Sequence, residues 1–206
     1  MAVTQYAFYF DATACSGCKA CQVACKDMHG LEVGRMWRRV FAVEGGEWWP
    51  DGDAWRTNVF AYNVSIACNH CELPICKGVC PTGAISKRDD GIVLIDESRC
   101  VGCGYCRWAC PYDAPQLDPN KGVMTKCTFC VDEIDAGRPP TCVAACPMRV
   151  LDFGEKAELI EKYGEVMGVF PLPEASLTEP ALVVSPHKDA RRPYREPVRV
   201  SNREEV

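Results

Sequence analysis

No stretch of this 206-residue chain approaches the about 18 consecutive apolar residues that a membrane-spanning helix needs, so no part of it is expected to cross a bilayer. The first ten residues are short and mixed. They lack a basic start and a twin-arginine pair, so no export signal is read there. Basic runs are missing too: 23 Lys and Arg stand against 28 Asp and Glu, a formal net charge of −5, which leaves nucleic-acid binding without electrostatic support. There are three histidines, and no Ser/His/Asp set, phosphate loop or dinucleotide fingerprint. No catalytic residue is assigned, and the chain is not read as an enzyme by itself.

What is abundant is cysteine. All 16 fall into four groups of four, with none left over. Group I is Cys15-x2-Cys18-x2-Cys21-x3-Cys25. Group II is Cys68-x2-Cys71-x4-Cys76-x3-Cys80. Group III is Cys100-x2-Cys103-x2-Cys106-x3-Cys110. Group IV is Cys127-x2-Cys130-x11-Cys142-x3-Cys146. Groups I and III have the bacterial ferredoxin spacing, with Lys26 after group I where Pro81, Pro111 and Pro147 follow the others. A disulfide framework has no need of thiols two residues apart, where short loops close poorly. A lone Cys-x2-Cys serves zinc as often as iron, but four quartets point to four [4Fe–4S] clusters. Cysteine at every ligand position points to cubanes rather than three-iron clusters.

In the ferredoxin spacing three cysteines hold one cluster and the fourth reaches across to the next. The expected sets are Cys68, Cys71 and Cys76 with Cys110, and Cys100, Cys103 and Cys106 with Cys80. Extending the rule to groups I and IV gives Cys15, Cys18 and Cys21 with Cys146, and Cys127, Cys130 and Cys142 with Cys25. Clusters held by thiolates carry negative charge. Lys19, Lys26, Lys77, Arg99, Arg107, Lys126 and Arg149, all beside the groups, are candidates to offset it and raise reduction potentials. Their alternative role is as ordinary surface residues. His70, between two ligands, either tunes a cluster or simply packs. His29 and His187 belong to no constellation. Tyr105, Arg107 and Trp108 are read as core packing first and as a partner contact second.

The expected fold class is α+β: two ferredoxin-like 2[4Fe–4S] modules, one inserted in the other, with a β-rich flap and an extended C-terminal tail. Residues 1–30 open the outer module with a strand over 3–10. Residues 31–58 form a flap holding Trp37, Trp48, Trp49 and Trp55, which either shields clusters from water or docks a partner. Residues 59–119 form the inner module. Its strand at 59–66 leads into group II, and the polar turn within 83–96, flanked by apolar runs, predicts a hairpin. Residues 120–153 complete the outer module and end in a strand at 148–153. Residues 154–206 hold a helix over 155–168, from the spacing of Leu159, Ile160, Tyr163 and Met167. From Pro171 a proline- and charge-rich tail is expected to be extended, on this chain or on a partner, or else disordered.

Four clusters in so few residues suit one-electron relay rather than substrate turnover. Thr4-Gln5-Tyr6, Cys15-Ser16-Gly17-Cys18-Lys19-Ala20-Cys21, Asn58-Val59-Phe60-Ala61-Tyr62, Cys68-Asn69-His70-Cys71, Lys87-Arg88-Asp89-Asp90-Gly91, Met124-Thr125-Lys126-Cys127 and Leu151-Asp152-Phe153-Gly154 carry a resemblance. Together the chain resembles the iron–sulfur subunit of the dimethyl sulfoxide reductase family of membrane complexes. The resemblance implies two partners: a molybdopterin-containing catalytic subunit that reduces sulfoxides or N-oxides, and a membrane anchor that oxidises menaquinol. It implies that group III faces the quinol side and group I the molybdenum side. It further implies a place on the outer face of the cytoplasmic membrane, reached by co-export with a signal-bearing partner. Nitrate reductase relatives carry tryptophan where this chain has Cys103, which argues against that branch. A relay subunit for tetrathionate, polysulfide or selenate, a soluble polyferredoxin and a zinc-stabilised module are the other readings.

Overall fold

The computed structural model describes residues 4–191 and 198–206. In chain order the strands are β1 (Tyr6–Asp11), β2 (Arg39–Gly45), β3 (Trp48–Asp51), β4 (Ala54–Thr57), β5 (Phe60–Ile66), β6 (Ile85–Lys87), β7 (Val93–Ile95), β8 (Gln116–Asp118), β9 (Val123–Thr125), β10 (Leu151–Glu155), β11 (Leu182–Ser185) and β12 (Val198–Val200). The helices are α1 (Ala20–Met28), α2 (Ile75–Gly78), α3 (Tyr105–Ala109), α4 (Val131–Asp135), α5 (Thr141–Ala144) and α6 (Lys156–Tyr163). The mix of short helices and small, largely antiparallel sheets is the α+β class expected. No helix among the described residues is long and apolar enough to cross a membrane.

Successive side chains of β1 point to opposite faces, and both faces are covered. Phe8 and Phe10 enter the main core, where Phe8 stacks on the fully buried Phe129 with ring centroids 4.1 Å apart. Ala7 and Tyr9 face the other way onto Leu159 of α6, and Tyr9 stacks on Tyr163 at 3.6 Å. β1 is the middle of a three-stranded sheet. It pairs antiparallel with β10, Phe8 opposite Phe153, and parallel with β11, Phe8 opposite Leu182. Val3, the first residue of the expected strand, lies outside the described residues. A second sheet places β2 between β5 and β12. Three two-stranded hairpins complete the β structure, among them β6–β7 in the place expected between groups II and III.

One expectation holds and one is corrected. In its described parts the tail is extended and lies on this chain rather than being a disordered end: β11 joins β1 and β12 joins β2, and Ala181 to Val184 are buried. Residues 192–197 lie outside the described residues. The helix expected over 155–168 stops at Tyr163, because Gly164 turns to φ 96 and cannot continue it. Met167 therefore falls beyond the helix.

One local conformation recurs in all four cysteine groups. The residue before the second cysteine has positive φ: Gly17 at 70°, His70 at 44°, Gly102 at 66° and Phe129 at 62°. The left-handed turn wraps the backbone around the first thiol, as where the Phe129 N–H donates to Cys127 Sγ at 3.4 Å. Glycine adopts it without strain, while His70 and Phe129 carry a cost of about 1 kcal/mol that their burial offsets. At Gly102 a side chain is barred for a second reason, since a Cβ would collide with the Gly122 carbonyl oxygen.

Two outcomes are expected. Ending the chain at Phe170 removes β11 and β12 and uncovers Ala7, Tyr9 and an edge of β1. The truncated chain should be insoluble or proteolysed where the full chain is not, as read by soluble yield. Gly102→Ala should disorder the group III loop and lower iron content, whereas Gly78→Ala, which meets open space at an ordinary φ, should leave iron unchanged. Equal iron in both variants would remove the packing argument.

Candidate metal centres

None of the 16 cysteines is in a disulfide, and of them only Cys18 and Cys103 are exposed. On α1, Cys21 and Cys25 are four residues apart and share the buried face. Two quartets wall narrow cavities. One is lined by Cys15, Cys18, Cys21 and Cys146 and closed by Val40, Val150 and Leu151. The other is lined by Cys80, Cys100, Cys103 and Cys106 and closed by Ile85, Ile95 and Met124. Each takes three thiols from one group and the fourth from another. Among the described residues no carboxylate or imidazole lines either cavity.

The other eight thiols gather in two neighbourhoods that their mutual charge effects reveal. Burial pushes the Cys76 thiol up to about 12, with Cys68, Cys110 and Cys71 adding to it and Lys126 opposing. Cys71 is likewise pushed up to about 12 by burial, with Cys68 and Cys110 beside it. Burial pushes Cys25 up to about 12, with Cys142 and Cys130 as its thiol neighbours. Cys127 is raised by burial first, then by Cys25. The neighbourhoods also touch one another: Cys142 acts on Cys21, and Cys68 acts on Cys127. The order in space therefore runs from the Cys15 set to the Cys25 set to the Cys68 set. Packing of α2 on α3 joins the last of these to the Cys100 set.

Among the described residues, no three His, Cys, Asp or Glu side chains are grouped as tightly as a single metal ion requires. The quartets stand apart around a space. Soft thiol donors in fours, spread around an otherwise apolar void, fit an iron–sulfur cluster. Donors to sulfur are in place. The Ala84 N–H reaches Cys80 Sγ and the Met124 N–H reaches Cys100 Sγ, both at 3.3 Å. Burial acts against the Cys80 thiolate, but the Thr82 hydroxyl and the backbone amides of Ala84, Thr82 and Ile85 outweigh it and lower that thiol.

The candidate cations are placed unevenly. Lys126 is buried, with Nζ on the Val93 carbonyl and on the Cys127 carbonyl at 3.1 Å. Lys19 pairs with Glu205, Lys26 donates to the Glu32 and Arg35 carbonyls, and Arg107 pairs with Asp113 at 2.9 Å. Arg99 holds the Thr82 carbonyl at 3.0 Å and Arg149 the Ala144 carbonyl at 3.1 Å. These serve local structure. Sequence reasoning missed Arg38, which is 2% exposed. Burial disfavours its charge, yet thiolates at Cys142, Cys21, Cys127 and Cys25 together raise its pKa. Its only sequence signal is a charged pair, Arg38-Arg39, opening an apolar strand.

Two further readings change, those of His29 and of Tyr105 with Trp108, while His70 packs, one of the two roles read for it. His29 is not apart from the sites: its Nε2 lies 3.4 Å from Cys130 Sγ, and its ring packs on Trp37. His70 is fully buried and accepts the Val93 N–H at Nδ1, 3.0 Å away. Tyr105 and Trp108 are not core residues, and Trp108 is 78% exposed. In the flap, Trp37 packs against the core, while Trp48, Trp49 and Trp55 sit on an exposed hairpin.

Residues 59–156 match the family model described as a 4Fe-4S dicluster domain. The chain is 50% identical over 188 residues to the B subunit of anaerobic dimethyl sulfoxide reductase from Escherichia coli, covering 91% of this chain and 92% of that one. It shows the same identity and coverage with the Haemophilus influenzae protein of that name. The thiosulfate reductase electron transfer subunit of Salmonella typhi is 40% identical over 157 residues, 75% of this chain and 78% of its own. At that identity and coverage, the chain belongs to the family of anaerobic dimethyl sulfoxide reductase B subunits.

Proposed function

We propose that this chain is the electron-transfer subunit of a molybdopterin oxidoreductase complex, holding four [4Fe–4S] clusters and carrying electrons between two partner subunits. The observation that supports it best is the distribution of thiol exposure. The two quartets at the ends of the array each present one exposed cysteine, Cys18 and Cys103, while the Cys25 and Cys68 sets between them present none. When bound, each cluster supplies uptake and release of a single electron with little change of geometry.

The proposed ligand sets are Cys15, Cys18, Cys21 and Cys146; Cys25, Cys127, Cys130 and Cys142; Cys68, Cys71, Cys76 and Cys110; and Cys80, Cys100, Cys103 and Cys106. In this reading residues 59–119 form an inner ferredoxin-like module inserted between the halves of an outer one, 1–30 and 120–153. The flap at 31–58, apart from its exposed hairpin, and the segment 154–206 pack beside both. The protein's own contribution is fourfold. Its thiols fix the sites, its apolar linings exclude water, its amides and hydroxyls donate to sulfur, and its two end faces meet partners.

The group III face favours a partner contact. Val101, Tyr105, Trp108 and Leu117 are exposed around Cys103, an aromatic and aliphatic surface of the kind that interfaces bury. We place the membrane anchor that oxidises menaquinol on this side and the molybdopterin catalytic subunit on the Cys18 side, with sulfoxides or N-oxides as the reducible substrates. The complex then sits on the cytoplasmic membrane, on its outer face if a partner carries the export signal.

Purification of the tagged chain from its own membranes, without oxygen, tests this. A large molybdenum subunit should co-elute, and the eluate should oxidise reduced viologen with a sulfoxide or N-oxide. A brown chain eluting alone would favour a free polyferredoxin. A colourless one with zinc and no labile sulfide would remove the clusters. In the complex, Cys103→Ser should lower quinol-driven turnover by at least tenfold while leaving most viologen-driven turnover. Normal quinol-linked turnover would contradict the place given to group III.

A further inference from the structure

Among the described residues three buried arginines follow one another closely, Arg35, Arg38 and Arg39, and of these Arg38 alone has no carboxylate as counter-charge. Its neighbours show the contrast. Arg35 pairs with Asp118 at 2.9 Å, and Arg39 donates to the Tyr112 carbonyl at 2.5 Å with Asp113 at 3.9 Å. Among the described residues Arg38 forms no ion pair with an acid. Its guanidinium lies over the Phe8 ring at 4.7 Å, and Nη1 donates to Ser65 Oγ at 3.2 Å. Ser65 Oγ in turn sits 3.4 Å from Cys21 Sγ. Nε and Nη2 are buried and meet no oxygen or nitrogen acceptor, and the one further hydrogen bond of the side chain goes to the Cys142 thiol. A guanidinium enclosed in this way is strongly disfavoured unless charge of the opposite sign is close by. The charges that act on it are those of Cys142, Cys21, Cys127 and Cys25. Cys21 belongs to one proposed cluster site, and the other three belong to the next.

We propose that Arg38 is a positioning residue shared by two cluster sites, the Cys15 set and the Cys25 set. Its fixed positive charge between them offsets their thiolate charge and raises the reduction potentials of both together. The inference rests on the relay reading above and adds to it a residue that no cysteine spacing announces. A positive charge favours the more negative, reduced state of each neighbour, by Coulomb's law in a medium that screens poorly. No thiol of the Cys80 set is among those acting on it. The aromatic contact with Phe8 and the Ser65 hydrogen bond hold the side chain still, so the charge has a defined place.

The test is redox titration followed by electron paramagnetic resonance on the assembled complex, for wild type, Arg38→Met and Arg38→Lys, with iron and labile sulfide counted in each. Wild type with fewer than four clusters fails the relay reading, and is recognised before any variant is compared. Given four, Arg38→Met should lower the reduction equilibrium constant of two clusters by about tenfold, about 59 mV for one electron, and leave the other two unmoved. Arg38→Lys should keep both near wild type. If Arg38→Met instead loses iron from two sites while Arg38→Lys keeps all four, the shared-charge role is again supported. Equal shifts at all four clusters, no shift at any, or Arg38→Lys behaving as Arg38→Met would overturn it. So would loss of every cluster from both variants, since the role would then be one of folding.

Discussion

The hydrogen-bonded ladder between β1 and β10 is the contact on which the rest of the molecule depends. β1 ends just before Cys15, and β10 begins just after Cys146 and its proline. Pairing Phe10 with Leu151 brings the two chain segments side by side, so Cys146 lines one cavity with Cys15, Cys18 and Cys21. A contact so distant in sequence has a large loop-closure cost, but that cost grows only slowly with length. It is offset here by burial on both faces of β1. Within the stretch from Cys68 to Pro111 the β6–β7 hairpin has the same task at short range. It holds Cys80 against Cys100, Cys103 and Cys106.

The interior that results is divided between hydrocarbon and sulfur. Phe8, Phe129, Val64 and Ile66 share the main core with Cys21, Cys68, Cys127, Cys142 and Cys146. Thiols in such surroundings resist ionisation. Where thiolates are to be stabilised, the chain supplies backbone N–H groups, hydroxyls and a few enclosed cations rather than water. The left-handed residue before each second cysteine is part of that supply, because it turns amides toward sulfur. Groups II and IV accept it on His70 and Phe129. Both side chains are then buried against each other, ring centroids 5.2 Å apart and near perpendicular, so the strained turn and the packed core are one arrangement.

Much of this is legible in the sequence. Cysteine spacing follows from the reach of a short loop, so the four groups can be read directly, and so can the crossing that sets Cys146 and Cys80 in cavities with the Cys15 and Cys100 groups. So can the β6–β7 hairpin, whose signal is local. What stays hidden depends on distant partners. The run Ala181-Leu182-Val183-Val184 is apolar, yet nothing near it says that it lies parallel to β1. β12 finds β2 across a similar distance. Arg38 reads as a surface charge, because a basic pair ordinarily faces water, and only the fold shows it beside Cys21 and Cys142. The exposed Trp108 misleads for the opposite reason, since aromatic residues inside a ligand motif suggest core.

Exposure of Cys18 and Cys103 has a cost that lies outside electron transfer. Oxidation of a thiolate begins where oxidant can reach sulfur, and those two sulfurs are the accessible ones. The protein is thus most vulnerable to air at the two faces given to its partners. Each docking event that completes the complex would also seal a point of attack, so assembly itself would act as the protection against oxygen.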